Sequence, residues 1–338
     1  TAGAAGTAAL LLAAGVNSSK QIIVPATSGG TQEVVLGSHG TSGTSASFDN
    51  EVRLSRAVTL VAATSGTTTF GNFWYDSSGA ASPTVNVSIG SSGNLGTVLL
   101  KNNLTTTGSV GVRFGTLNVD NSKTLTASGI VGIDSGATLA GVGTVAATLG
   151  GAGFVAPGNS PGILTAGAVD PTAGLDFNFE FMGTAPTYGT GTASVNDVLR
   201  LTGGTAFTTL LSSSNAINVY LDVGSLALND TFRGGFFTDQ PGSFAASIAD
   251  ANYTYWVSGT GAGQTIYENK TYKPFSSVYS SLAMQATTVS ETATFAGGSP
   301  TSGQVMQFTV VVPEPGALAL AALGLGLAGW AIRRRRAA

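Results

Sequence analysis

From about Lys20 to Thr165 the chain is a series of short apolar runs, each broken by Gly, Ser, Thr or Asn. Ile22–Ala26, Glu33–Ser38, Ala57–Ala63, Thr84–Gly93, Gly96–Asn103 and Gly115–Ser122 share this form. Apolar and polar residues alternate at period two, and a turn signal comes every 8 to 12 residues. That pattern predicts an all-β segment. Gly-Thr-Val or Gly-Thr-Leu recurs at 96–98, 115–117 and 143–145, with irregular spacings of 19 and 28. They bracket the rung of a right-handed parallel β-helix (solenoid), in which unlike turns absorb insertions. At about 20 to 25 residues per rung and ~4.8 Å between rungs, this region makes roughly six or seven rungs and a rod about 30 Å long.

The second half keeps the alternation but enlarges the side chains. Residues 170–312 hold 19 of the 27 aromatics, and residues 1–169 hold seven. A boundary is therefore expected near Ala166–Pro171. Leu175, Phe177, Phe179 and Phe181 fall on one strand face, and Ile217–Val223 and Gln307–Val311 read the same way. These are expected to be antiparallel strands with one packed and one wet face. They form either a cap on the solenoid or a separate sandwich.

Residues 316–332 form an uncharged run of seventeen, followed by Arg333, Arg334, Arg335 and Arg336. As a helix this run is roughly 25 Å long, just enough to cross a thin bilayer. The expectation is a single C-terminal transmembrane helix with Gly316, Leu320, Leu323, Leu325, Leu327, Trp330 and Ile332 along it. The arginines would stop transfer on the cytoplasmic side, with Trp330 at the inner interface. Before the span stands Val312-Pro313-Glu314-Pro315, whose prolines suit neither a helix interior nor a ladder. An exposed, extended peptide is expected there.

Pro-Glu-Pro, apolar helix and Arg cluster, in that order at the chain end, resemble the PEP-CTERM sorting signal of exosortase substrates. The resemblance implies export and cleavage near Val312–Pro315 by an exosortase, after transient anchoring in the inner membrane. It implies delivery to the cell surface or matrix of a Gram-negative-type bacterium that makes exopolysaccharide. A permanently anchored single-pass protein is the alternative. Gly136–Val145 and Gly153–Thr165, with Ala156–Gly162 as the closing run, resemble the end of autotransporter-associated β-helix repeats. Ser194–Gly203 resembles the segment that often follows such repeats.

The expected organisation is a segment 1–19 of a truncated chain, repeats over 20–168 and an aromatic-rich antiparallel region or cap over 169–292. The last strand and spacer take 293–311, and the sorting signal 312–338. The chain begins at Thr1, and its first apolar run, Ala8–Val16, lacks the preceding basic residues of a secretory leader. An upstream leader is therefore expected to have been trimmed.

Charge narrows the function. Only 31 of 338 residues are charged, and residues 1–312 carry 10 basic against 16 acidic groups. No basic patch remains for nucleic acid. The absence of Cys removes disulfides and thiolate chemistry.

Catalytic motifs fail on their own chemistry. Gly158-Asn159-Ser160-Pro161-Gly162 matches a nucleophile elbow, but Pro161 has no N–H to offer an oxyanion and the one histidine, His39, precedes the serine. Gly324–Gly329 matches a dinucleotide fingerprint but lies inside the apolar span, with no strand before it. His39 alone makes no metal site. Asp176 and Glu180 share a strand face but stand roughly 13 to 14 Å apart by strand rise, wider than paired glycosidase acids.

Asp120 and Asp134, with Arg113 and Lys123 nearby in sequence, are the remaining acid and base candidates for a polysaccharide lyase or glycosidase. The favoured reading is a non-enzymatic surface or matrix protein of structural or adhesive type, without metal or cofactor. Its expected partners are the exosortase, the membrane and exopolysaccharide or other matrix components. Phe73-Trp74-Tyr75 and Tyr253–Trp256 are the aromatic clusters a sugar could use, with packing as the expected role.

Overall fold

The computed structural model describes residues 8–13, 15–25, 33–40, 43–75, 85–158, 161–184, 195–239, 244, 248, 251–295 and 299–312. The chain starts with β1 (Ala8–Leu12), β2 (Asn17–Ser18), β3 (Ile22–Val24), β4 (Val34–Ser38), β5 (Ala46–Leu54), β6 (Val58–Val61) and β7 (Thr67–Tyr75). It continues with β8 (Val87–Ile89), β9 (Thr97–Leu100), β10 (Leu104–Thr105), β11 (Val110–Val112), β12 (Thr116–Val119), β13 (Thr124–Ile133), β14 (Thr138–Gly141), β15 (Thr144–Gly151) and β16 (Phe154–Pro157). Next come β17 (Ile163–Asp170), β18 (Asp176–Phe181), β19 (Val198–Leu201), β20 (Ala216–Leu221), β21 (Thr231–Thr238) and β22 (Asn252–Ser258). The last elements are β23 (Thr265–Tyr267), β24 (Lys270–Pro274), the one-turn helix α1 (Phe275–Val278), β25 (Ala283–Ala293) and β26 (Thr301–Val311).

Two 13-stranded sheets result. One runs β1-β4-β6-β8-β11-β13-β15-β17-β19-β21-β26-β25, with β10 beside β13. The other runs β2-β5-β7-β9-β12-β14-β16-β18-β20-β22-β24-β23, with β3 beside β5. From β4 to β22, β10 aside, the chain alternates between the sheets and lays one parallel strand in each. Equivalent positions of successive coils therefore stack in register. Val98, Leu117, Leu139, Val155, Phe177 and Ile217 form one such column, each facing the next across a strand pair, and all are buried. Thr67, Thr97, Thr116 and Thr138 form a neighbouring Thr column.

Register explains the irregular repeat. Thr97 and Thr116, of the first two Gly-Thr motifs, pair directly. The third motif begins β15 in the other sheet, where Thr144 pairs with Thr124 and Thr165. The residue stacked on Thr116 is instead Thr138.

The core lies between the sheets. Val, Leu and Ile, with the stacked pair Phe48 and Phe70, fill its first half, and phenylalanines dominate the second, where Phe177, Phe179 and Phe207 all set ring edges against Phe236 at 4.7, 5.1 and 5.1 Å. The strand pairs β15/β17 and β17/β19 carry one sheet unbroken past Ala166–Pro171, so the change at that point is one of side-chain size.

One expectation is corrected. Leu175–Phe181 and Ile217–Val223, read as antiparallel, lie on β18 and β20, which pair parallel with β16, with each other and with β22. Alternation suggested antiparallel pairing because most parallel sheets have helices on both faces and read as continuous apolar runs. Among the described residues no helix packs on the outer face of these strands, which carries Asp176, Asn178 and Glu180, so a parallel strand alternates too. Among the named strands, antiparallel ladders are β21/β26, β25/β26, β22/β24 and β23/β24, and earlier in the chain antiparallel pairing occurs as isolated bridges such as Gly141↔Gly158. β1 and β2, inside the segment 1–19, already pair with β4 and β5.

Leu139 is sandwiched in its column between Leu117 and Val155. Leu139→Ala should lower unfolding free energy by about 3 kcal/mol, and Thr138→Ala beside it by less than about 1 kcal/mol, read from urea midpoints.

Candidate functional site

The chain leaves the folded body from a strand held on both sides. β26 pairs with β25 through eleven residues, Ala283↔Val311 to Ala293↔Thr301, and with β21 from Thr231↔Thr309 to Thr238↔Gln304. Loop bonds finish the job, with the Asn229 N–H on the Val310 carbonyl at 2.8 Å and the Val310 N–H on the Asp230 carbonyl at 2.9 Å. Val311 is the last paired residue, and Val312 follows it at 59 % exposure. Whatever follows Val312 starts from a fixed point.

The principal buried polar cluster among the described residues is built on the other sheet, around Glu180. Glu180, on the outer face of β18, is 0 % exposed beneath the β23–β24 hairpin. Its Oε1 accepts from Lys270 Nζ at 2.8 Å and from the Tyr272 hydroxyl at 2.5 Å. Lys270 also pairs with Asp222 Oδ2 at 2.9 Å, and the Ser258 hydroxyl donates to Asp222 Oδ1 at 2.5 Å. The Ser258 bond and Lys270 hold the Asp222 carboxyl below its usual range. Partial burial works to lower Lys270, but its two carboxylate partners outweigh it and raise the ammonium above its ordinary value. Burial pushes the Tyr220 phenol up to about 12, and this ring stacks on Tyr267 at 4.1 Å and on Trp256 at 6.2 Å.

Asp197 ties this cluster to the run Ala156–Gly162. Its Oδ1 accepts from the Gly162 N–H at 2.8 Å and its Oδ2 from the Glu180 N–H at 2.7 Å. Burial nonetheless raises its carboxyl well above the usual range. Gly158 sits at φ +95°, and a Cβ there would meet Asp197 Oδ1 at 2.5 Å, so only glycine fits. Next to it the buried Asn196 side chain bonds the Met182 and Gly183 N–H groups and the Gly183 and Arg233 carbonyls. Asn196 and Asp197 thus staple β18 to the last coils.

Residues 311–336 match the PEP-CTERM protein-sorting motif. The chain carries an exosortase sorting signal. No curated protein and no solved structure matches the chain. The PEP-CTERM signal indicates exosortase-dependent sorting, with export to a surface or extracellular location and processing by the exosortase.

Of the expected sorting residues, Val312 is exposed at the end of β26. Pro313, Glu314 and Pro315, the span residues Gly316, Leu320, Leu323, Leu325, Leu327, Trp330 and Ile332, and Arg333–Arg336 lie outside the described residues. Among the described residues no helix is long and apolar enough to cross a membrane.

The candidate acids have ordinary partners. Asp134 pairs with the Arg113 guanidinium at 2.9 Å, and Asp120 Oδ1 accepts from the Asn121 N–H at 2.8 Å. Asp176 Oδ1 accepts from the Ala216 N–H at 2.6 Å. His39 is exposed. Of the elbow motif, Asn159 and Ser160 lie outside the described residues, as do the side chains of Phe73–Tyr75. Tyr253 and Tyr255 pack on Phe308, at 6.1 and 5.8 Å between ring centres.

Sequence reasoning missed the cluster. Sequence spacing sets Glu180 beside Asp176 on a strand face, whereas Lys270 and Tyr272, 90 and 92 residues on, cover it. The available signal was weak: an acid inside Phe-Asn-Phe-Glu-Phe, and the chain's scarce lysines.

Lys270→Ala strands a buried carboxylate. It should cost about 2 to 3 kcal/mol by urea denaturation, less than the ~3 to 5 of a fully buried pair because Lys270 stays 34 % exposed. Asp197 gives a pH signature. Above its ordinary value of 3.8 the unfolded carboxyl ionises while the folded one keeps its proton, so stability falls as pH rises toward the folded value. Asp197→Asn should make that slope shallower, measured as urea midpoints from about pH 4 upward. The share due to Asp176 and Glu268, which burial also raises, should remain.

Proposed function

We propose that this chain is a non-enzymatic structural or adhesive protein of the cell surface or extracellular matrix, released to its site by exosortase cleavage at Val312–Pro315. Its body is a right-handed, two-sheeted β-solenoid with repeats of the autotransporter-associated kind. Gly316–Ile332 crosses the inner membrane until cleavage, and Arg333–Arg336 stops transfer. The observation that carries this reading is where the sorting motif falls. It begins at Val311, the last residue of the ladder among the described residues, so a cut after Val312 leaves every described strand pair in place.

The body suits such work. Its coils present Thr and Asn columns rather than charge, with Asn102 Nδ2 bonded to Asn72 at 2.8 Å and Asn218 Nδ2 to Asn178 at 2.8 Å. A long, neutral, hydrogen-bonding face fits exopolysaccharide or other matrix components. Glu180 and Asp222, brought together across the cluster, share the Lys270 ammonium, which engages both carboxylates and speaks against their use as the acid and base of a lyase or glycosidase.

Intact mass of the mature protein tests the reading. In cells with an exosortase the mature chain should end near Pro315, and without it the tetra-arginine tail should persist. A tail present in both strains would make this a permanently anchored protein. A chain ending at Val312 should also unfold within about 0.5 kcal/mol of the full body in urea.

A further inference from the structure

The face from which the sorting segment leaves is apolar and nearly free of charge. The Asn229 N–H bond to the Val310 carbonyl and the Asp230 N–H bond to the Ala227 carbonyl place a turn over 227–230, with Leu228 on it, beside the end of β26. Continuing the β25/β26 register, in which Ala283 faces Val311, sets Leu282 on the other side of Val312. The turn residue Leu228 and Val312 thus stand at the same end of the sheet, with Leu282 next to them packed against the core. Leu228 is 49 % exposed and Val312 59 %, and Val278 of α1, at 41 %, stands close by. The Tyr279 hydroxyl at the end of α1 accepts from the Leu226 N–H at 3.1 Å, which joins the helix to the Leu228 loop.

Residues 224–230 and 275–290 contain a single charge, Asp230. Its Oδ2 is already bonded to the Ala227 N–H at 2.6 Å. Exposed leucine and valine without a charged rim is the composition of an interaction surface rather than of a solvated end.

Chain length decides the occupant. Only Pro313, Glu314 and Pro315 separate Val312 from the apolar span at Gly316. Fully extended, those steps cover roughly 14 Å, and a headgroup layer takes up about 5 to 8 Å of it. While the span crosses the bilayer, this face is held against the interfacial layer.

We propose that Leu228, Val278 and Val312 form a membrane-resting face, seated on the lipid surface beside the anchored tail until the exosortase cuts. The proposal rests on the reading of Gly316–Ile332 as a span. Seating would hold Pro313–Pro315 at the depth of the headgroups, within reach of a membrane-embedded protease. Release of the tail would then free the face from its enforced contact.

The absence of Cys allows single-cysteine labelling. The full chain, carrying Leu228→Cys, Val278→Cys, Asn121→Cys or Ala322→Cys, is labelled with an environment-sensitive fluorophore. It is then reconstituted into phosphatidylethanolamine and phosphatidylglycerol vesicles that contain a nitroxide lipid quencher. The labels at 228, 278 and 322 should lose most of their emission, while the label at the exposed turn residue 121 should lose none.

Quenching at 322 without quenching at 228 and 278 would overturn the membrane-resting face and leave the span standing. No quenching at 322 would overturn the span itself and the proposal with it. Protection at 228 and 278 that appears only when exosortase is present would assign the face to a protein and refute a lipid partner.

Discussion

In-register pairing of each coil with the one before it is the constraint on which everything else in this molecule depends. A parallel ladder places every residue over its counterpart in the previous coil, so each inward side chain is floor to one neighbour and ceiling to the next. Unequal coil lengths do not disturb this, because the excess goes into the turns. Asn72 and Asn102 align across 30 residues, and Asn178 and Asn218 across 40. With no cysteine in the chain, this ladder and the core it clamps supply the cohesion that disulfides often give small exported domains.

A stack of parallel strands has an open edge at its end, and the last hundred residues deal with it. The chain reverses direction, and β26 and β24 close the two sheets with antiparallel pairs. The β23–β24 hairpin then folds over the outer face of β18 and β20. That cover buries Glu180, which requires Lys270 and Tyr272 to meet it. Large aromatic rings fill the wider core of this end, where coils are longer and Leu or Val alone would leave voids. The polar staples at Asn196 and Asp197 belong to the same closure, joining β18 and the loop at Gly162 to β21.

The closure also sets up the exit of the tail. β26 lies inside its sheet, between β21 and β25, so it cannot peel away without breaking two ladders. The sorting motif therefore hangs from a rigid anchor, and the body keeps its pairing when the tail is removed. A low-charge surface accompanies this closure: Thr and Asn keep the coils wet where Lys and Glu usually would.

Much of this was legible in the residues alone. Period-two alternation with frequent Gly, Ser, Thr and Asn determined that the chain is all-β, because only a half-buried strand needs that spacing. Pro313-Glu314-Pro315, an uncharged run and four arginines determined the sorting signal, since such motifs are local and are read as linear sequence. Tertiary structure alone decided the direction of β18 and β20, because a strand with one wet face alternates in the same way in either ladder. It alone decided that the Gly-Thr motif at 143–145 belongs to the opposite sheet from those at 96–98 and 115–117. It alone brought Lys270 and Tyr272 to Glu180 and Gly162 to Asp197, because partners 35 to 92 residues apart leave no spacing for a sequence to display.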